Sequence, residues 1–209
     1  MKKTLIAALA LSVFYFNQAL ADLSDNVKEM TNITLTEFIK HKESIKLNPR
    51  KAFEIVNETI APHFHFESMT KSALGRFSRN ASDEQLDRLS QEFGELLTNT
   101  YANVMKEYNG QKIEYMPARM KNETDGTVLT KFTRNNGNII PIQYTIKEID
   151  KKPFVIDVKV EGMSLVSNYR SSFAREVQIG ARKSRSRNRM SDGIEQLIQT
   201  LKDKNFKNR

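Results

Sequence analysis

Two of the chain's three histidines stand together in His63-Phe64-His65-Phe66. Imidazoles at i and i+2 on an extended segment share a face and could begin a metal site. A third ligand would be needed, and His41 belongs to a different helical segment, so the pair reads as partly exposed histidines beside core phenylalanines. Ser164 follows Gly162, but Gly-Met-Ser-Leu-Val lacks the second glycine of a nucleophile elbow, and no histidine is placed to serve the hydroxyl. Asp157 and Glu161 fall on the strand face opposite the apolar set, where solvent or a helix contact suits them better than catalysis. No glycine-rich phosphate loop occurs. The chain has no cysteine, which excludes thiol catalysis, thiolate metal sites and an N-terminal lipidated cysteine. The residue types therefore argue against an enzyme, and no cofactor is expected.

What remains is apolar and aromatic spacing. Leu23, Val27, Met30, Ile33, Phe38 and Ile39 recur at helical intervals within 23–47, and Asn48-Pro49 restarts a helix carrying Ala52, Phe53, Val56 and Ile60 until Pro62. A short helix is expected from Glu67 to Leu74, ended by Gly75. Ser82-Asp83-Glu84-Gln85 has the form of a capping box. The long amphipathic helix behind it carries Leu86, Leu89, Phe93, Leu96, Leu97, Tyr101, Val104, Met105 and Tyr108, and Asn109-Gly110 closes it.

After Gly110 the period changes from 3.6 to 2. Ile113 and Tyr115 alternate, Asp125-Gly126 reads as a hairpin turn, Val128, Thr130 and Phe132 alternate, and Asn136-Gly137 reads as another turn. Ile140, Ile142, Tyr144 and Ile146 then alternate with Pro141, Gln143, Thr145 and Lys147, and Phe154, Ile156, Val158 and Val160 with Val155, Asp157, Lys159 and Glu161. A helix follows Met163, and a last one is expected from Ser191 to about Lys202. The expected fold is α+β: a four-stranded antiparallel curved sheet wrapped by helices.

The N-terminus carries Lys2 and Lys3, an apolar run from Leu5 to Phe16 and Ala19-Leu20-Ala21 as a small-x-small site. Residues 1–21 are read as a signal peptide cleaved after Ala21, leaving 22–209 as one exported domain. Export without cysteine suits a periplasmic protein stabilised by its core alone. The formal net charge of +8 raises nucleic acid as a partner, but export and the concentration of charge in one segment argue against it.

The stretch Glu161-Gly162-Met163-Ser164-Leu165-Val166-Ser167-Asn168-Tyr169-Arg170-Ser171-Ser172-Phe173 resembles the signature of the MlaC family, the toluene-tolerance auxiliary proteins of ABC transporters. Leu74-Gly75-Arg76, Ala81 through Gln85, Phe93, Leu96-Leu97 and Thr100-Tyr101-Ala102 form a second similar block, and Tyr108-Asn109-Gly110-Gln111 a third. Pro141, Ile142, Tyr144, Phe154 and Asp157 fit the family's later strands. Two positions depart from the pattern: His65, where the family has an acid, and Ser78, where it has tryptophan.

The resemblance implies an NTF2-like sheet with acyl chains buried between sheet and helices, and no reaction. It implies a monomeric periplasmic phospholipid carrier in transient contact with membranes. The partners would be an outer-membrane lipoprotein complex and an inner-membrane ABC transporter with an MCE-domain subunit, and the role would be maintenance of outer-membrane lipid asymmetry. Exposing two acyl chains of about 30 methylenes costs roughly 25 kcal/mol, so a carrier must enclose them. The expected lining is Phe93, Leu97, Tyr101 and Val104 on the long helix, Val128, Phe132, Ile142, Tyr144, Ile156 and Val158 on the sheet, and Leu165, Tyr169 and Phe173 at the following helix. Arg182, Lys183, Arg185, Arg187 and Arg189 are expected in an exposed basic loop, 182–190, for docking on anionic lipid or an acidic partner. The alternative is an NTF2-like enzyme, or a binder of another apolar small molecule.

Overall fold

The computed structural model describes residues 23–106 and 108–208; the signal-peptide assignment at 1–21 and the side chain of Val104 lie outside the described residues. Among the described residues there are seven α-helices, two short 3-10 helices and one sheet. Helix α1 covers 23–40, α2 Lys42–Leu47, α3 Arg50–Thr59, α4 Phe66–Leu74 and α5 Asp83–Met105; α6 (Leu165–Lys183) and α7 (Arg189–Asn208) follow the sheet. The helix expected over 23–47 is thus divided at the turn residue His41.

Local chemistry sets several of the boundaries. The Gln85 N–H donates to Ser82 Oγ at 3.1 Å and the Ser82 N–H to Gln85 Oε1 at 3.2 Å, so the capping box starts α5 as its residue types require. Helix α5 stops at Met105, short of Tyr108.

The strands are β1 (Ile113–Tyr115), β2 (Arg119–Met120), β3 (Asp125–Thr133), β4 (Ile139–Ile149), β5 (Lys152–Val160) and β6 (Met163–Ser164). They form one antiparallel sheet in the order β1-β3-β4-β5-β6, with β2 also paired to β3. The expected four strands become six because β2 and β6, two residues each, add at the edges. Asp125-Gly126 is not the turn. Asn122 Oδ1 accepts the N–H groups of Thr124 (2.9 Å) and Asp125 (2.7 Å) and reverses the chain earlier. Gly126 is instead a strand residue where helix and sheet nearly touch, since a Cβ there would lie 2.7 Å from Leu23 Cδ1.

A second correction concerns β5. The β4–β5 register shifts between Thr145 and Ile146, so Ile146 faces Val155 and Lys147 faces Phe154. Val155 is therefore buried with the inner face, while Phe154 lies on the other face, edge-on to His65 at 5.5 Å. Ile156, the extra residue at this irregularity, is half-buried.

The basic segment also differs from expectation. Arg182 and Lys183 belong to the last turn of α6, Arg189 starts α7, and only 184–188 form the connection. Close helix packing explains the short turn: a Cβ on Gly193 would sit 2.1 Å from the Val177 carbonyl oxygen. Ser184 Oγ donates to the Asp192 carboxylate and accepts from the Ser186 N–H, which orders the turn.

Burial divides the chain unusually. One cluster joins α4, α5, α6 and α7 through Met69, Leu89, Phe93, Val177 and Ile194; another joins α1 to the sheet through Leu23, Val27, Met30, Val128, Ile146 and Val155. A third lies at the α1–α3 corner around Phe38, Ile45, Ala52 and Val56. A domain of this size ordinarily has one contiguous core. Among the described residues no helix is long and apolar enough to cross a membrane.

Candidate binding seam

The residues that first suggested chemistry serve the start of helices. His65 Nδ1 accepts the Ser68 N–H at 3.1 Å and caps α4, which requires the tautomer with that nitrogen unprotonated. Ser164 Oγ accepts the Ser167 N–H at 3.0 Å and caps α6, and Asp157 Oδ1 accepts the Val166 N–H at 3.2 Å. A carboxylate at a helix N-terminus meets the positive end of the dipole, so Asp157 ties β5 to α6. Among the described residues no group of three or more His, Cys, Asp or Glu could hold a metal ion.

The join between β5 and α6 has a geometric result. Glu161 and Gly162 both adopt positive φ (52° and 84°), reversing the chain so that β6 returns along β5 and α6 starts at once. Helix α6 then carries Tyr169 and Phe173 onto Phe93 of α5. The ring centroids of both lie 5.0 Å from that of Phe93, in edge-to-face arrangements. Arg170 fixes the same turn of α6 by donating to the Ser72 carbonyl from Nε (3.2 Å) and Nη2 (2.9 Å).

Half-buried apolar side chains border the helical cluster and the sheet cluster, and Phe64, which packs against both, defines the seam where they meet. Tyr101 and Tyr169 edge the helical side, and Ile142, Tyr144, Val160 and Leu165 edge the sheet side. The pattern along β4 is informative. Ile140 and Ile146 on either side are buried, whereas Ile142 and Tyr144 between them retain accessible surface. A filled core would close most tightly at the middle of its central strand. Here Ile142 and Tyr144 are less buried than their cross-strand partners Thr130, Val128 and Val158.

The half-buried tyrosines bring phenol hydroxyls, with the Asp157 carboxylate close to Tyr101 and the Thr130 hydroxyl close to Tyr144. Burial pushes the Tyr144 hydroxyl up to about 12, with Tyr115 adding to the effect. Tyr101 is likewise pushed up to about 12, first by burial and then by Tyr169 and Asp157. Burial raises Tyr115 and Tyr169 as well. All four therefore stay neutral at ordinary pH, giving hydrogen-bonding capacity without charge in an apolar setting.

The residues expected to line a cavity separate into two groups. Phe93, Leu97, Val128, Val158 and Phe173 are buried within the clusters and stand behind the seam. Tyr101, Phe132, Ile142, Tyr144, Ile156, Leu165 and Tyr169 are half-buried. Phe64, Ile60 and Val160 also border the sheet cluster and were not among the expected lining. Phe64 gave a signal, alternating with histidines in an apolar tetrapeptide, but only the Phe64–Val155 bridge to β5 shows where it goes. Pockets of about 290 Å³, lined by Phe38, Lys42, Ile45, Lys46, Pro49, Lys106 and Tyr108, and about 200 Å³, beside Glu67 and Asp83, contain none of the expected lining.

The fold and the seam define an α+β protein that sets a curved antiparallel sheet against a helical layer across an incompletely closed apolar junction. The family model described as MlaC protein matches residues 28–203, and the chain belongs to the MlaC family. It is 32% identical over 155 residues to the toluene tolerance protein ttg2D of Pseudomonas putida, covering 74% of this chain and 72% of that one. Over a shorter span of 74 residues, 35% of each chain, it is 30% identical to the intermembrane phospholipid transport system binding protein MlaC of Haemophilus influenzae. Among solved structures, the phospholipid-binding protein from Ralstonia solanacearum, in complex with a phospholipid, superposes with a TM-score of 0.74 at 25% identity, over 88% of this chain and 97% of that one.

Proposed function

We propose that this chain is a periplasmic carrier that binds a diacyl phospholipid with its acyl chains in the seam between the sheet and helices α5 and α6. The observation that carries the reading is the divided core, with half-buried Tyr101 and Tyr169 bordering the helical cluster, half-buried Ile142 and Tyr144 bordering the sheet cluster, and Phe64 packed against both. Two cohesive clusters can part along a seam without either losing its own packing, so lipid enters there at little cost to the fold. The names of the relatives, a phospholipid transport binding protein and a structure holding a phospholipid, support this choice of ligand.

The seam offers uncharged hydroxyls, so the head group stays at the water boundary and head-group selectivity is weak. The chain carries lipid without chemical change, between an outer-membrane lipoprotein complex and an inner-membrane MCE-type ABC transporter, and so maintains outer-membrane lipid asymmetry. The test is transfer. Delipidated protein incubated with vesicles of fluorescent phospholipid should leave them carrying label, with phosphatidylethanolamine and phosphatidylglycerol accepted to similar extents. Failure to acquire either lipid would refute the carrier reading.

A further inference from the structure

The tip of the α6–α7 hairpin is the most cationic segment of the molecule. Arg182, Lys183, Arg185, Arg187 and Arg189 fall within eight consecutive residues, all exposed, and no Asp or Glu occurs from Val177 to Ser191. Ile179 and Met190, on the two helices beside it, remain 36% and 39% exposed. The backbone under these charges is ordered. The Gly193–Val177 contact brings the helices together, Ser184 bonds Asp192, and the Ser186 and Asn188 N–H groups donate to Ser184 Oγ and Ser186 Oγ at 3.0 and 2.9 Å.

We propose that this tip is a docking prong for an anionic lipid bilayer. Its shape decides the occupant. The cations come from both helix ends and from the turn between them, so they crown a convex end and do not line a concavity. A protein partner needs a surface shaped to match such an end, whereas a fluid anionic bilayer accommodates it by charge alone. Basic side chains with a few exposed aliphatics are also the composition that favours a membrane interface. The prong stands apart from the seam, because α6 has 19 residues and separates its first turn from the tip by about 27 Å. Docking is therefore separable from lipid binding, and the proposal does not depend on what the seam holds.

The experiment compares three proteins: the natural chain, a variant with Arg182→Gln, Lys183→Gln, Arg185→Ser, Arg187→Ser and Arg189→Gln, and a turn-only variant with Arg185→Ser and Arg187→Ser, outside both helices. Each is sedimented with phosphatidylcholine vesicles and with vesicles in which about a third of the lipid is phosphatidylglycerol, at low and at physiological salt. The natural chain should bind the anionic vesicles at least about tenfold more tightly than the neutral ones at low salt, and less so as screening increases. The five-site variant should lose that advantage and the turn variant part of it, with affinity for fluorescent phospholipid in solution unchanged in both. Equal binding of the natural chain to the two vesicle types would overturn the proposal. So would undiminished anionic binding by the five-site variant, or a loss of soluble-lipid affinity without a loss of vesicle binding.

Discussion

Replacing Ile142 with tryptophan is expected to reduce phospholipid loading at least about tenfold, equivalent to about 1.4 kcal/mol, while shifting the melting temperature by only a few degrees. Ile142 lies on β4 between Thr130 and Val160, faces the seam and is half-buried. A larger ring there adds volume on the half-buried side of the strand, next to buried Thr130 on one side and half-buried Val160 on the other, where acyl chains would lie. At Val158, only 7% exposed and packed with Val128 and Val155, the same change forces volume into a filled cluster and should cost about 1–3 kcal/mol of stability as well. The contrast between the two positions is the useful result. If Ile142→Trp loads lipid like the natural chain, the acyl chains are elsewhere; if it unfolds the protein, the seam is ordinary core.

The second large effect is on stability. Phe93 has no exposed surface and holds Tyr169 and Phe173 of α6 against α5, so Phe93→Ala should lower the unfolding free energy by about 3–5 kcal/mol in urea denaturation. Phe173→Ala should be similar in kind. The double variant should lose less than the two single losses together, because the rings share one contact. A loss below about 1 kcal/mol for Phe93→Ala would show that the aromatic group does not join the helices as described.

Much of this architecture can be read from the chain where one residue's chemistry decides a local outcome. Ser82 and Gln85 mark the start of α5 because their side chains and amides are reciprocal, and the 3.6 period of Leu86, Leu89, Phe93 and Leu96 identifies the buried face. The features that escape such reading depend on pairing between distant segments. Val155 and Phe154 exchange faces because of a register shift between Thr145 and Ile146, which strict alternation cannot reveal. Gly126 resembles a turn residue but is small because Leu23, about a hundred positions earlier, packs over it. The basic run resembles a loop, yet Gly180 and Gly193 let two helices approach so closely that only 184–188 remain between them.

The seam shows the same limit. Periodicity places Phe93 and Tyr101 on one helix face and Val128 and Tyr144 on one sheet face, but it cannot distinguish a buried residue from a lining one. That distinction arises from how the two clusters meet. Phe93 and Val128 lie inside them, and Tyr101 and Tyr144 lie half-buried at the borders of the helical and the sheet cluster respectively.

The most direct measurement is native mass spectrometry of the protein purified without detergent. Binding of a diacyl phospholipid in the seam predicts a species heavier than the bare chain by the mass of one such lipid, alongside any unloaded protein, with several head groups and acyl lengths represented. A spectrum showing the bare chain alone, or an adduct without acyl chains, would contradict it.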